Sequence, residues 1–344
     1  MPRTNSRGAD SADSLDAEAE PISRWSRAWR LLHAHAEICR PDTVFYAGLV
    51  ALAGAGVAES TAANWRLVIA WIVPTFAWVA SMYGGDFFDR ELDAQAKPSR
   101  PIPSGRIASR TAFACAAGLV STGFVLTAVV NYRALVVALI AAVSGIAYAK
   151  VLKARGLAGN VAHSVPTVAA FIFGAMAVHP TPTHPIAIVT IAVMLGIHDC
   201  GSNLLGALGD RDGDRASDCA TYPAVHGDAA TVRVLAAIFA LWAVLALLVP
   251  FVLPTEFHAA YYGAGVAVAL ALVATSLLIV VRSARPISKR SCRRAHEVLV
   301  VERLVLPSAL LVASGHYVIF AAVAVPSLVA TVLATVLMRE RRSW

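Results

Sequence analysis

Nine long apolar segments, with a candidate tenth, constrain the fold of this chain more than any other feature of its sequence. Each is compared with the roughly 20 apolar residues that a helix needs to cross a bilayer. Together they predict an all-α, polytopic transmembrane helical bundle. The nine spans are placed near residues 42–58, 65–83, 111–130, 134–149, 161–178, 185–206, 230–253, 260–281 and 297–315, and the tenth near 317–338.

The composition supports a membrane protein. Hydrophobic residues make up 58% of the 344 residues and charged residues only 15%, against about 45–50% and about 25% in soluble domains. The net charge of +7 does not indicate a nucleic-acid partner, because the basic residues lie between apolar segments. The five cysteines are scattered singly, which argues against a disulfide or metal-thiolate framework.

The N-terminal region and the loop charges suggest how the chain is oriented in the membrane. Residues 1–22 are small, polar and acidic, which predicts a disordered tail. Residues 23–40 carry Trp25, Trp29 and Leu32 at helical spacing, which predicts an interfacial amphipathic helix before a membrane domain at 41–338. Lys and Arg concentrate in the loops after even-numbered spans, so these loops and the N-terminus are expected on the cytoplasmic side of the cell membrane.

The first chemically informative cluster follows span two. Asp86, Asp89 and Asp93 have spacings of three and four, which place three carboxylates on one helical face. Such a face repels itself unless a cation lies there, and Mg²⁺ takes carboxylate oxygens and commonly bridges them to phosphate. Basic residues that could contact phosphate follow at Lys97, Arg100 and Arg106.

A second acidic cluster follows span six, and therefore lies on the same side of the membrane. Asp210, Asp214 and Asp218 recur every four residues, and Asp199 and Asn203 continue upstream into the apolar span. An acid at membrane depth is by default a functional candidate that faces the bundle interior. Each cluster alone could be a solvated loop, but two clusters on one face predict a shared site for Mg²⁺ and a diphosphate.

These motifs resemble those of the UbiA superfamily of intramembrane prenyltransferases. The first cluster reads D-x-x-D-x-x-x-D followed by K-x-x-R-P-x-P-S-G over residues 86–105, and the second contains D-x-x-x-D at 210–214 with Thr221, Pro223 and Gly227 behind it. Tyr148, Lys153, Gly159 and Asn160 are similar to the Y…K…GN loop of the family. The resemblance covers roughly residues 25–315 and implies a mostly nine-helix bundle around a central cavity.

The resemblance also implies Mg²⁺-dependent transfer of a prenyl group from a polyprenyl diphosphate, by default to an aromatic or quinone-like acceptor. The residue roles that we expect divide into four sets. Asp89, Asp93, Asp210 and Asp214 are the metal ligands, with Asp86 and Asp218 auxiliary; Lys97, Arg100, Arg106, Lys153 and Arg215 contact the diphosphate; Asp199 or Asn203 orients the acceptor or takes a proton; Tyr148 lines the pocket.

Two departures from the family pattern affect which reaction and which acceptor we expect. Gly85 stands where the family usually has Asn before the first Asp, which leaves room for a terpene cyclase of the same fold. Asn203 stands where the ubiquinone branch has an acid, which disfavours 4-hydroxybenzoate as acceptor. A transporter, whose acids would guide cations at the bundle mouth, is the alternative from a different class.

Overall fold

The computed structural model describes residues 24–58, 63–179, 181, 183–253 and 257–341. All regular secondary structure in these ranges is helical, which confirms the all-α prediction. The disordered tail predicted for residues 1–22 lies outside the described residues. The helices are α1 (Arg24–Cys39), α2 (Phe45–Ala58), α3 (Asn64–Phe88), α4 (Arg90–Ala96), α5 (Ser109–Asn131), α6 (Leu135–Lys150), α7 (Leu157–Val178), α8 (Pro185–Ala216), α9 (Tyr222–Leu248), α10 (Ala259–Val281), α11 (Lys289–Glu302), α12 (Val305–Ala313), α13 (Tyr317–Ile319) and α14 (Val325–Arg341).

Each segment predicted to cross the membrane contains helix. Seven helical stretches among the described residues are long and apolar enough to cross a membrane. One of them, Ser109–Lys150, is broken at Asn131, whose extended backbone (φ −165°, ψ 103°) separates α5 from α6. Another apolar helix, Phe45–Ala58, is shorter. The chain is therefore a polytopic membrane protein, while the count of nine or ten spans stays a prediction.

Helices α2, α7 and α8 form the interior of the bundle. Helix α2 is buried along nearly its whole length and packs against α3, α7 and α12. A Cβ atom added at Gly174 of α7 would lie 1.8 Å from the carbonyl oxygen of Ala51 in α2. Small residues let helix backbones approach this closely in membranes. The contact between α2 and α7 therefore depends on glycine at position 174.

Helix α8 links the membrane interior to the bundle end. It has 32 residues, which corresponds to about 48 Å and exceeds the ~30 Å hydrocarbon core. Asp199, Asn203, Asp210 and Asp214 follow at steps of four and seven, and so lie along one side of the helix. One rigid element thus carries polar groups from the buried part of the bundle to its end.

The ninth predicted span is interrupted between α11 and α12. Pro307 lacks the N–H that would bond to the carbonyl of Arg303, and its ring clashes with that carbonyl in a continuous helix. The chain consequently turns at Arg303 and Leu304 before α12 begins. Arg303 is left buried at this break, beside α8.

Helix α1 lies against the other helices on one side only. Ala34 and Ile38 belong to a small apolar cluster with Tyr83 of α3. Trp25 and Trp29, from the predicted apolar face, are 86% and 71% exposed and do not pack into that cluster. This exposure supports the prediction that α1 lies at a membrane interface, which stays a prediction.

Candidate active site

The first acidic cluster is built where α3 meets α4. Asp86 lies in the last turn of α3, Asp89 at the junction and Asp93 in α4. The backbone bonds from Asp89 N to Gly85 O (2.9 Å) and from Asp93 N to Asp89 O (2.8 Å) continue across the junction. The three carboxylates therefore keep the helical spacing on which the sequence prediction depended.

Arg100 folds back from the following loop onto this cluster. Its Nη1 lies 3.3 Å from Asp86 Oδ1 and 2.5 Å from Asp93 Oδ2. The side chains of Asp86 and Asp93 are only 13% and 7% exposed, so both carboxylates need a cation near them. Arg100 supplies that charge and so lies within the first acidic cluster, while its contact with diphosphate stays a prediction.

Lys153 reaches the same cluster from the turn between α6 and α7. Its Nζ lies 3.3 Å from Asp89 Oδ2. Burial is the largest single influence and opposes the charged form of this amine, but the charge and hydrogen bond of Asp89, together with Tyr148 and Cys219, raise the pKa of Lys153 above its usual value. Lys153 is thus a firmly protonated amine beside a predicted metal ligand.

The second cluster lies at the end of α8. Asp214 accepts a hydrogen bond from the Thr221 hydroxyl (2.9 Å), and Asp210 lies 3.6 Å from Nζ of Lys289 in α11. The chain reverses after α8 and turns again at Gly227, where φ is 74° and ψ is −179°. That backbone conformation is essentially restricted to glycine. The T-x-P…G pattern therefore corresponds to this turn. Thr221 hydrogen-bonds to Asp214, and Gly227 supplies the backbone conformation that the turn requires.

Lys97 and Lys153 connect the two clusters. Burial and the charge of Arg100 lower the pKa of Lys97, while carboxylates of both clusters, Asp210 and Asp93, act in the opposite direction. Asp214 lies within electrostatic reach of both lysines. Lys97 and Lys153 are thus each within electrostatic reach of carboxylates from both clusters, which supports the prediction of a shared site at one end of the bundle.

Three residues that were predicted to contact the metal or the diphosphate have other surroundings: two of them hold loops, and the third lies in an exposed turn. Arg106 pairs with Glu37 of α1 through Nη1 (2.7 Å) and donates to the Ser99 carbonyl (2.5 Å). Arg215 donates to the Ala224 carbonyl (2.8 Å). Asp218 is exposed in the turn after α8, where its φ is 53°. The structure thus places Arg106, Arg215 and Asp218 at the margins of the site and not between the clusters.

This placement gives a prediction for two nearby arginines. Replacing Arg100 with alanine is expected to raise the KM for the diphosphate donor and to lower kcat/KM by about 10²-fold, because a charge-assisted contact in the site is lost. Arg106→Ala is expected to leave the donor KM within about twofold and to loosen α1, as in the loss of a surface ion pair. Steady-state kinetics of both variants in detergent check this; equal donor KM increases would contradict it.

Deeper in the bundle, the predicted acceptor residues form a buried polar strip. Asp199 accepts a hydrogen bond from Thr167 (3.1 Å), and its other oxygen lies 3.9 Å from Nη1 of Arg303. One turn along α8, the Asn203 amide bonds to the Tyr148 hydroxyl (3.3 Å) and to the Asn160 amide (2.7 Å). The structure therefore brings Asp199, Asn203 and Tyr148 together.

Sequence reasoning missed the partners of these groups. Arg303 pairs with Asp199, Lys289 approaches Asp210, and Thr221 holds Asp214. A buried carboxylate at membrane depth requires a cation, so an arginine inside an apolar span was the available signal for Arg303. His198 and Glu302 form a separate buried pair beside Trp242.

The donor set fits Mg²⁺. Among the described residues, no three His, Cys, Asp or Glu side chains converge as a ready-made metal site. Mg²⁺ does not require one, since it is commonly held by one or two carboxylates together with substrate phosphates and water. The site offers carboxylate oxygens, from Asp89 and Asp93 on one side and Asp210 and Asp214 on the other, next to cations suited to phosphate.

Comparisons with known proteins identify the family of this chain. The UbiA prenyltransferase family matches residues 45–301, and the chain belongs to this family. It is therefore a prenyltransferase, which confirms the resemblance and does not support the cyclase and transporter alternatives. The chain is similar to a digeranylgeranylglyceryl phosphate synthase of Methanothrix thermoacetophila, with 30% identity over 62% of this chain and 79% of the relative.

Two solved structures share the fold. A digeranylgeranylglyceryl phosphate synthase aligns with a TM-score of 0.62 and 21% identity, covering 83% of this chain and 98% of the other. A UbiA homologue from Archaeoglobus fulgidus, bound to DMAPP and Mg²⁺, aligns with a TM-score of 0.60 and 16% identity, covering 82% and 99%.

Proposed function

We propose that this enzyme transfers a prenyl group from a polyprenyl diphosphate to the hydroxyl of a glyceryl phosphate lipid, with Mg²⁺ and with release of diphosphate. One observation carries the proposal: at the end of an apolar bundle, Lys153 pairs with Asp89 of the first acidic cluster (3.3 Å) and lies within electrostatic reach of Asp214 of the second. Such a site suits a ligand with a highly charged head and a hydrocarbon tail.

The protein's own residues account for binding of the diphosphate. Arg100 and Lys153 are already held by Asp93 and Asp89, so binding of a diphosphate would require little further ordering of these two side chains. Asp89, Asp93, Asp210 and Asp214 would hold Mg²⁺, which would supply positive charge to neutralise the diphosphate. The three cations Lys97, Arg100 and Lys153 stabilise the negative charge that develops on the leaving diphosphate.

The acceptor is inferred from the relatives and from a cation that sequence reasoning missed. The relative from Methanothrix thermoacetophila is named for a product that contains glyceryl phosphate, which replaces the aromatic or quinone-like acceptor as the best candidate. Lys289 brings a further ammonium group from α11 to within 3.6 Å of Asp210, and it is 76% exposed. An exposed cation at the rim of the site suits the phosphate of an acceptor headgroup.

The sidedness of the site follows from loop charge. The loops that supply Lys97, Lys153 and Lys289 are the basic loops that follow even-numbered predicted spans. Basic loops are retained in the cytoplasm. We therefore place the active site at the cytoplasmic end of the bundle.

The acceptor assignment can be tested with purified protein in nanodiscs. Geranylgeranyl diphosphate and Mg²⁺ are supplied with either geranylgeranylglyceryl phosphate or 4-hydroxybenzoate, and products are separated by mass spectrometry. We expect a digeranylgeranyl product from the glyceryl phosphate and its loss when EDTA removes Mg²⁺. Prenylation of the aromatic acceptor alone would overturn the acceptor assignment, and diphosphate release that persists in EDTA would overturn the metal requirement.

A further inference from the structure

His163 is a titratable side chain beside the buried acid of α8, and no role for it follows from the diphosphate chemistry. Its Nε2 lies 3.7 Å from Asp199 Oδ2. The ring of Tyr148 packs against it with a centroid distance of 4.9 Å. The His163 side chain is 26% accessible, whereas Asp199 is 2% accessible. Of the two groups, only the imidazole has a surface that a substrate could reach.

We propose that His163 is the general base that removes the proton from the acceptor hydroxyl, and that Asp199 positions its ring. The inference rests on the proposed function, because a hydroxyl acceptor must lose a proton when it forms an ether. This assignment replaces Asp199 and Asn203, the two residues that the sequence suggested as proton acceptors. Asp199 is already engaged by Thr167 and Arg303, and the Asn203 amide has no basic lone pair to offer.

The position of His163 relative to the diphosphate site supports this role. Asn160, His163 and Thr167 follow at steps of three and four, so they lie on the side of α7 that contacts Asn203 and Asp199. Tyr148, which packs against His163, is within electrostatic reach of Asp89 and Asp214. Tyr148 therefore contacts the proposed base and is within electrostatic reach of one carboxylate from each acidic cluster.

The acceptor oxygen forms a bond to the first carbon of the prenyl group while the bond from that carbon to the diphosphate oxygen breaks. The electron pair leaves with the diphosphate, and the hydroxyl proton passes to Nδ1 of His163. Nε2 faces Asp199, whose carboxylate stabilises the imidazolium that forms. Arg303 pairs with that carboxylate, and Tyr148 and Tyr46 are the other titratable groups nearby: Tyr148 packs against His163, and Tyr46 packs against Arg303.

The test compares His163→Gln with wild type from about pH 8 down to the lowest pH at which the enzyme stays folded, a range that includes and extends below the one in which imidazole usually titrates. With geranylgeranylglyceryl phosphate as acceptor, the wild-type kcat should fall toward low pH, because a protonated imidazole accepts no proton. His163→Gln should lower kcat about 10²-fold or more, leave the donor KM unchanged and abolish the fall toward low pH. His258→Gln, at the start of α10 and away from the site, is the matched control and should behave as wild type.

Three results would overturn the inference. A wild-type kcat that does not change across this pH range would do so without any variant, even if His163→Gln failed to fold. A His163→Gln enzyme within about threefold of wild type, with the fall toward low pH retained, would reject the base and leave the proposed function intact. No transfer to the glyceryl phosphate by wild type would instead reject the proposed function, and this inference with it.

Discussion

Replacing Asp214 with asparagine is expected to lower prenyl transfer by about 10²- to 10³-fold at saturating Mg²⁺. The substitution keeps the shape of the side chain and its contact with Thr221, but it removes a negative charge from the part of the site that would hold metal and diphosphate. Initial rates with radiolabelled donor measure the effect.

Asp218→Asn is the matched control for this prediction. It makes the same chemical change four residues further on, but Asp218 is exposed in the turn after α8. We expect its activity to stay within about twofold of wild type, as for surface substitutions generally. Equal losses in the two variants would mean that the second cluster extends beyond Asp214, as the sequence alone suggested.

A Gly174→Val substitution is expected to have the largest effect on stability. The first added carbon would lie 1.8 Å from the Ala51 carbonyl oxygen, and backbone cannot move aside as the end of a flexible side chain can. Forcing α2 and α7 apart should cost at least about 3 kcal/mol and leave little folded protein. Thermal unfolding and size-exclusion profiles in detergent check this.

Gly118→Val provides the comparison for that substitution. Gly118 lies in α5, where an added Cβ meets nothing within 4 Å. Its variant should unfold within a few degrees of wild type, since exposed substitutions rarely exceed about 0.5 kcal/mol. A Gly174→Val protein as stable as Gly118→Val would show that α2 and α7 are not packed as described.

The parts of the fold and site that depend on local periodicity were predictable from sequence. Apolar runs gave the helices, and steps of three and four between aspartates gave the faces that carry Asp89 and Asp214, because both signals arise within a single helix. The basic residues of the loops have no such period. Whether Arg100 or Arg106 faces the carboxylates depends on how the loop folds onto α1 and α4, which neighbouring residues do not specify.

Contacts between distant parts of the chain also could not be predicted from the sequence. Arg303 meets Asp199 only because Pro307 interrupts the last part of the bundle beside α8, a tertiary arrangement with no local signature.

Gly85 is a different case. An added Cβ there meets nothing within 4 Å, so packing does not demand glycine where the family usually has asparagine. The structure gives no physical account of that substitution.

The central claim is that the two acidic clusters hold one metal-bound diphosphate between them. An experimental structure with Mn²⁺ and a non-cleavable prenyl thiodiphosphate tests it most directly, because Mn²⁺ accepts the same oxygen ligands and scatters anomalously. We expect metal beside Asp89 and Asp93 and beside Asp210 and Asp214, with one diphosphate bridging the two pairs next to Arg100 and Lys153. Metal at a single cluster, or a diphosphate bound away from these cations, would contradict the claim.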